Sequence, residues 1–252
     1  MADFVLPNWE KDHCARNPIL VNNEVHVWHV QTDHALAKLP VLWEILSPAE
    51  RDRADRFKFA DHRMRYIVAH AALRQILAGY LKLDPKRLEF REGAQGKPDL
   101  VLTSNQIALT FNLSHSHQAA LVAVTLGRAI GVDIEYIKPD FDWDGIVENF
   151  FAPGEIARLK ALPWDLQRNT FFTCWTRKES YIKAKGGGLS IPLDGFEVSV
   201  DSAEPAALLS CTNDPKEVAR WSMASVDVGA EYAAALTVEG ISGSLRCWAW
   251  DF

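Results

Sequence analysis

Two stretches of the chain follow one plan. Thr110–Thr125 (TFNLSHSHQAALVAVT) and Met223–Val238 (MASVDVGAEYAAALTV) each read as apolar strand, polar tip and alanine-rich strand. A helical pattern precedes each, RYIVAHAALRQIL at Arg65–Leu77 and RKESYIKAKG at Arg177–Gly186. Residue identity between the two is low, but an echoed order of elements limits the architecture more than any single element does. It predicts an α/β (α+β) chain of two similar halves, 1–128 and 129–252, each a helix packed on a small antiparallel sheet.

The second helix carries charges that a core helix does not need. In Phe171–Pro192 (FFTCWTRKESYIKAKGGGLSIP) the aromatic run passes into Arg177, Lys178 and Glu179 and ends in Gly186–Gly188. Residues four apart share a helix face, so Glu179 and Lys183 stack; as a surface pair they would add only a few tenths of a kcal/mol. Phe172, Trp175, Tyr181 and Ile182 would anchor the helix in the core, and the glycines would end it. Upstream, Gly131-Val132-Asp133-Ile134-Glu135 sets two carboxylates on alternate positions of a strand, hence on one face. Converging carboxylates repel and need a cation. With Glu179 they form three hard oxygen ligands, a set that suits Mg²⁺ and leaves positions open for water and phosphate oxygens.

GVDIE followed about forty residues later by WTRKESYIKAKGGGLS, with Phe150-Phe151…Glu155 between, resembles the two signature motifs of the large, Sfp-type branch of the 4′-phosphopantetheinyl transferases. The resemblance runs from about residue 25 onward. It implies two halves related by a pseudo-twofold axis with the active site between them. It also implies transfer of the 4′-phosphopantetheine group of coenzyme A to a serine of an apo acyl or peptidyl carrier protein, releasing adenosine 3′,5′-bisphosphate. Asp133, Glu135 and Glu179 would hold Mg²⁺, with Mn²⁺ as a substitute. Lys178, Lys183 and His115 would neutralise phosphate charge, and Lys183 could protonate the leaving group. Glu179, Glu155 or a metal-bound water would serve as base; these alternatives stay open. Arg53 and Arg56 match basic positions near the 3′-phosphate end of coenzyme A, and Arg65 matches a coenzyme-contacting arginine. Lys97, in Gly96-Lys97-Pro98, matches a loop near the adenosine phosphate, while Ser114 and His115, in Asn112-Leu113-Ser114-His115-Ser116, match phosphate contacts. Glu50 departs from relatives that place a basic residue there. Two other classes compete: a non-catalytic carrier- or nucleotide-binding module that kept the fold, and a metal-dependent hydrolase with water as acceptor.

The remaining sequence narrows the classes. At 252 residues, with 48% hydrophobic residues, the chain has ample core for one large domain or two smaller ones. Its net charge of −6 argues against a general nucleic-acid binder. No apolar run approaches the ~20 residues of a membrane span, and the first residues lack a basic-then-apolar secretory pattern. Cys14, Cys174, Cys211 and Cys247 are scattered, without CxxC or zinc spacing. A monomer in the cytoplasm with reduced thiols is expected. No GxxxxGK[ST] loop and no GxSxG elbow is present, which excludes a P-loop and a Ser-His-Asp hydrolase built on Ser114 or Ser116.

Local patterns fill in the frame. Residues 1–22 lack periodicity and read as an irregular arm. Glu24–Thr32 alternates as a strand, with His26 and His29 on a polar, half-buried face rather than at a metal. Ser47-Pro48-Ala49-Glu50 is a helix start, followed by a basic run. Asp61–Leu81 has the 3–4 spacing of a long core helix, within which Arg74 reads as a structural ion-pair partner. Gly145–Leu162 reads as helix broken at Ala152-Pro153-Gly154, and FEVSV, ARWSMASVDV and EYAAALTV read as strands.

Overall fold

The structure, a computed structural model, describes Trp9 and residues 18–93, 96–102, 106–241 and 243–252. The irregular arm and Cys14 lie largely outside the described residues. In chain order the elements are β1 (Glu24–Gln31), α1 (Leu39–Trp43), α2 (Pro48–Asp55), α3 (Ala60–Leu81), β2 (Phe90–Glu92), β3 (Pro98–Leu100), β4 (Leu109–Ser116), β5 (Ala119–Leu126) and β6 (Ile130–Tyr136). There follow α4 (Asp144–Phe150), α5 (Pro153–Lys160), α6 (Trp164–Lys185), β7 (Phe196–Val198), β8 (Leu208–Cys211), α7 (Glu217–Arg220), β9 (Trp221–Ser225), β10 (Tyr232–Glu239) and β11 (Ser244–Trp250).

The echo in the sequence is an echo in topology. The first half runs strand, 22-residue helix α3, hairpin β2–β3, then β4 and β5, with sheet order β1-β5-β4. The second runs strand, 22-residue helix α6, hairpin β7–β8, then β9 and β10, with order β6-β10-β9. The two sheets pack face to face. Val25, Val27, Leu121 and Ala123 of the first meet Val132, Ile134, Leu236 and Val238 of the second. Helix α3 covers the outer face of the first sheet through Ile67, Leu73 and Leu77 on Trp28, Val122 and Val124. Helix α6 covers the second. The result is four layers, helix–sheet–sheet–helix.

One strand crosses the expected boundary. β11 pairs in parallel with β1, from Glu24 opposite Ser244 to Val30 opposite Trp250, so the end of the second half completes the sheet of the first. That sheet has four strands, β11-β1-β5-β4, and is mixed rather than purely antiparallel. β1 is therefore flanked on both edges and covered on both faces. His26 is accordingly not on a polar face: it is buried, its Nδ1 2.7 Å from the Tyr80 hydroxyl and its Nε2 3.3 Å from Glu24. Burial pushes its pKa down to about 4. Cys174, Cys211 and Cys247 are free thiols.

Helix ends follow their sequence signals. Ser47 and Glu50 form a reciprocal capping box at α2, with each side chain on the other's backbone N–H. Glu50 goes on to accept from Arg74 at 2.7 Å, with His70 at 3.4 Å. Glu50 is thus the cap of α2 and the partner of Arg74. At the other end of the fold, α6 stops at Gly186, whose φ of 70° is the left-handed cap conformation.

Gly131 has a different task. A Cβ there would stand 2.1 Å from the Ser180 carbonyl oxygen and 2.3 Å from the Ala184 nitrogen, so the backbone of α6 rests directly on β6. Gly131→Ala should cost about 1–3 kcal/mol or more by pushing the helix off the strand. Calorimetric melting checks this: a midpoint within about 1 °C of wild type would mean the helix is free to shift at no cost.

Candidate active site

The site grows out of that contact. On β6, Val132 and Ile134 enter the core between the sheets, so Asp133 and Glu135 face the other way, toward α6. Helix α6 presents Glu179 and Lys183 to them. Lys183 Nζ donates to Asp133 Oδ1 at 2.5 Å, to Ser114 Oγ at 3.0 Å and, more weakly, to the Val132 carbonyl at 3.4 Å. Lys183 thus pairs with Asp133 across elements, instead of with Glu179 one turn away. Ser116 Oγ donates to Glu135 Oε2 at 2.8 Å.

Burial and neighbouring charge raise the pKa values of Glu135 and Glu179. Burial first, and then the charge of Asp133, lift the pKa of Glu135. Burial, Asp133 and Glu135 lift Glu179 to about 7, against the pull of Lys183. Asp133 Oδ2 is buried and has no hydrogen-bond partner among the described residues. Repelling hard oxygens and an orphaned carboxylate oxygen are what a divalent cation would satisfy. As arranged, Lys183 is the cation on Asp133, and no three His, Cys, Asp or Glu side chains are gathered at metal-holding geometry among the described residues.

Cations gather beside the acids. His115 follows Ser114 on β4 and points the opposite way, toward α2 and α3. Desolvation, then the nearby charges of His70, Lys183 and Arg53, push its pKa down although solvent reaches the ring. Arg53 is exposed and lies 5.8 Å over the ring of Tyr66, which stacks on His70 at 4.0 Å. Arg56 is exposed. Arg65 makes two long contacts, 3.4 Å to Asp33 and 3.5 Å to His117. Lys183 therefore supplies positive charge among the acidic trio, and Arg53 lies close to the imidazole of His115, which is held neutral. His70, read from the sequence only as a core position of α3, lies close to His115 as well.

Several sequence-derived assignments change. Lys178 and Glu155 are completely buried and bound to each other, Nζ to Oε1 at 2.9 Å and to Oε2 at 2.7 Å. Lys178 also donates to the Phe196 carbonyl at 2.8 Å, and Glu155 accepts from the backbone N–H groups of Ala152 and Val198. All three lysine donors are used, so Lys178 cannot neutralise a phosphate and Glu155 cannot reach a serine. They tie α5, α6 and β7 together under the site. Lys97 donates to the carbonyls of Ile130 and Lys183 at 2.7 and 2.8 Å, and burial pushes its pKa down to about 8. It clamps the last turn of α6 to the start of β6, and a cation suits that end of the helix. The Ser114 hydroxyl is likewise committed within the protein, to Asp133, Lys183 and the Ile134 amide.

Two family models cover most of the chain: the 4′-phosphopantetheinyl transferase superfamily over residues 129–237, and the N-terminal region of a 4′-phosphopantetheinyl transferase over residues 31–126. The chain belongs to the 4′-phosphopantetheinyl transferase family. It is 36% identical to the 4′-phosphopantetheinyl transferase HetI of Nostoc sp., covering 92% of this chain and 94% of that one. It is also 33% identical to the 4′-phosphopantetheinyl transferase Sfp of Bacillus subtilis, over 61% of this chain and 66% of the other. The boundary between the two matched regions falls in the turn between β5 and β6, between the two topological repeats.

Proposed function

We propose that this enzyme moves the 4′-phosphopantetheine group of coenzyme A onto a serine of an apo acyl or peptidyl carrier protein, with Mg²⁺, and releases adenosine 3′,5′-bisphosphate. The observation that carries this reading is the juxtaposition of Asp133, Glu135 and Glu179 with Lys183, and, beside them, of Arg53 with the neutral imidazole of His115. Acids and cations side by side suit a substrate that brings both a metal ion and several phosphates. Asp133, Glu135 and Glu179 would hold the ion, which when bound would screen pyrophosphate charge during in-line attack.

The chain's own groups supply the rest. Lys183, anchored on Asp133, places its ammonium beside the carboxylates, where it can offset charge on the transferring phosphate and return a proton to the leaving oxygen. His115, Arg53, Arg56 and Arg65 are proposed to grip the remaining phosphates. Glu155 is sealed away, which leaves Glu179 as the side chain that could accept the serine proton.

The test is incubation with coenzyme A and Mg²⁺, with and without a panel of apo carrier proteins, read by intact mass. A phosphopantetheine adduct on a carrier supports the proposal. Coenzyme A cleaved equally without carrier would mean a hydrolase; tight binding without turnover would mean a binding module.

Arg53→Ala should raise KM for coenzyme A severalfold, about 5-fold or more, with kcat nearly unchanged, because a remote phosphate contact is uniform binding. Dephospho-coenzyme A should show the same penalty with wild type and little further loss with the variant. Equal KM values of wild type for the two substrates would remove Arg53 from the 3′-phosphate.

A further inference from the structure

The two sheets meet edge to edge as well as face to face. β4 is an outer strand of the first sheet and β6 an outer strand of the second, so each presents an unpaired backbone edge. An edge this close to another strand would ordinarily be closed by backbone hydrogen bonds. Here side chains close it. The N–H of Val132 donates to Asn112 Oδ1 at 2.8 Å, that of Ile134 to Ser114 Oγ at 3.4 Å, and that of Tyr136 to Ser116 Oγ at 3.0 Å. The offset is twenty residues at every step, so the strands run in parallel and every second residue of β4 serves every second amide of β6.

The residue types at the three steps differ for a chemical reason. A hydroxyl can accept and donate at once, whereas an amide oxygen only accepts. Ser114 accepts from the amide of Ile134 and donates to Asp133 at 2.9 Å. Ser116 accepts from the amide of Tyr136 and donates to Glu135 at 2.8 Å. At each of these steps one oxygen fixes both the backbone of β6 and the carboxylate just before the bonded amide. At the first step the preceding residue is Gly131, which has no side chain to hold, and there the partner is Asn112.

We propose that Ser114 and Ser116 are positioning residues that aim Asp133 and Glu135, and that the Asn112–Ser114–Ser116 ladder sets the geometry of the carboxylates by locking the register of the two halves. This rests on the reading of those carboxylates as a metal site. Ser116 is the residue to test, because it is only partly buried and its one hydroxyl bonds both Glu135 and the Tyr136 amide.

Ser116→Ala removes both bonds. Mg²⁺ affinity measured by calorimetry with coenzyme A present should fall about 10-fold or more, the usual scale for groups that orient metal ligands. Amide hydrogen exchange at Tyr136 should speed up by a similar factor, while amides of β10 stay protected. KM for coenzyme A should change less than about twofold. Ser116→Thr keeps the hydroxyl and should restore Mg²⁺ affinity to within about twofold of wild type. Should Ser116→Ala fail to fold, Ser116→Cys, a weak donor and acceptor, should show the same losses in smaller measure. Faster exchange with unchanged Mg²⁺ affinity would reduce the ladder to a structural seam and overturn the proposal, as would unchanged exchange at Tyr136. A wild type that binds no Mg²⁺ beside coenzyme A would overturn the metal reading itself, and this proposal with it.

Discussion

Lys178→Met should cost about 3–5 kcal/mol of folding stability, the scale for stranding one member of a buried ion pair. Both partners are fully buried, and the lysine ammonium also lies 4.3 Å over the ring of Phe196. In a chain of this length the loss corresponds to a melting point lower by on the order of 10 °C. The pH dependence carries a sign. An unpaired carboxylate in that apolar setting has a folded pKa above its unfolded one, so the folded variant binds the extra proton and gains stability as pH falls. Melting of the variant at pH 5.5 and pH 8, set beside wild type, reads both effects. The double variant Glu155→Met/Lys178→Met should recover most of the loss, since burying neither charge is often as good as pairing both. A single variant within about 1 kcal/mol of wild type would mean that the pair is not sealed from water.

Asp133→Ala should lower kcat/KM by about 10³-fold or more, roughly 4 kcal/mol of barrier. In the proposed function the free Oδ2 would take the metal, and Oδ1 already holds Lys183, so one substitution would disturb both groups. Stability should change far less, by about 1 kcal/mol, because Lys183 is 29% exposed along its side chain and can turn to water. Lys183→Ala is not its mirror image. It would leave a 4%-exposed carboxylate without its cation, so it should lower both kcat and the melting point, with Mg²⁺ restoring part of the latter. Steady-state rates at saturating carrier protein and parallel melting curves decide it. An Asp133→Ala enzyme within tenfold of wild type would take this residue out of the site.

Much of this arrangement is legible in the sequence because it depends on local rules. Alternation on β6 gives the shared face of Asp133 and Glu135, and the 3–4 spacing from Asp61 to Leu81 gives α3 to within one residue. Ser47 and Gly186 announce their helix ends. What stays hidden depends on partners distant in sequence. Lys178 and Lys183 sit five residues apart in one motif, yet one is sealed against Glu155 and the other reaches the site; only the packing of α5 and β7 distinguishes them. From the sequence Ser114–Gln118 reads as a polar turn, whereas β4 continues to Ser116, and the ladder of Asn112, Ser114 and Ser116 shows only once β6 lies alongside. Their spacing of two within a strand was the available signal, and it becomes informative only with the matching amides. β11 is short and aromatic, and nothing in SLRCWAW says that its partner is a strand 220 residues earlier.

That last pairing governs when the enzyme can exist at all. During synthesis β1 emerges before β11, and its hydrogen-bonding edge toward β11 must wait for the 220 residues between them. Contacts of such separation come late and slowly in folding. The first half is therefore left with an open strand edge until β11 arrives, and its helix and ladder rest on an incomplete sheet meanwhile. A polypeptide made only as far as β10 would hold every residue of the site and still lack the strand that completes the first sheet.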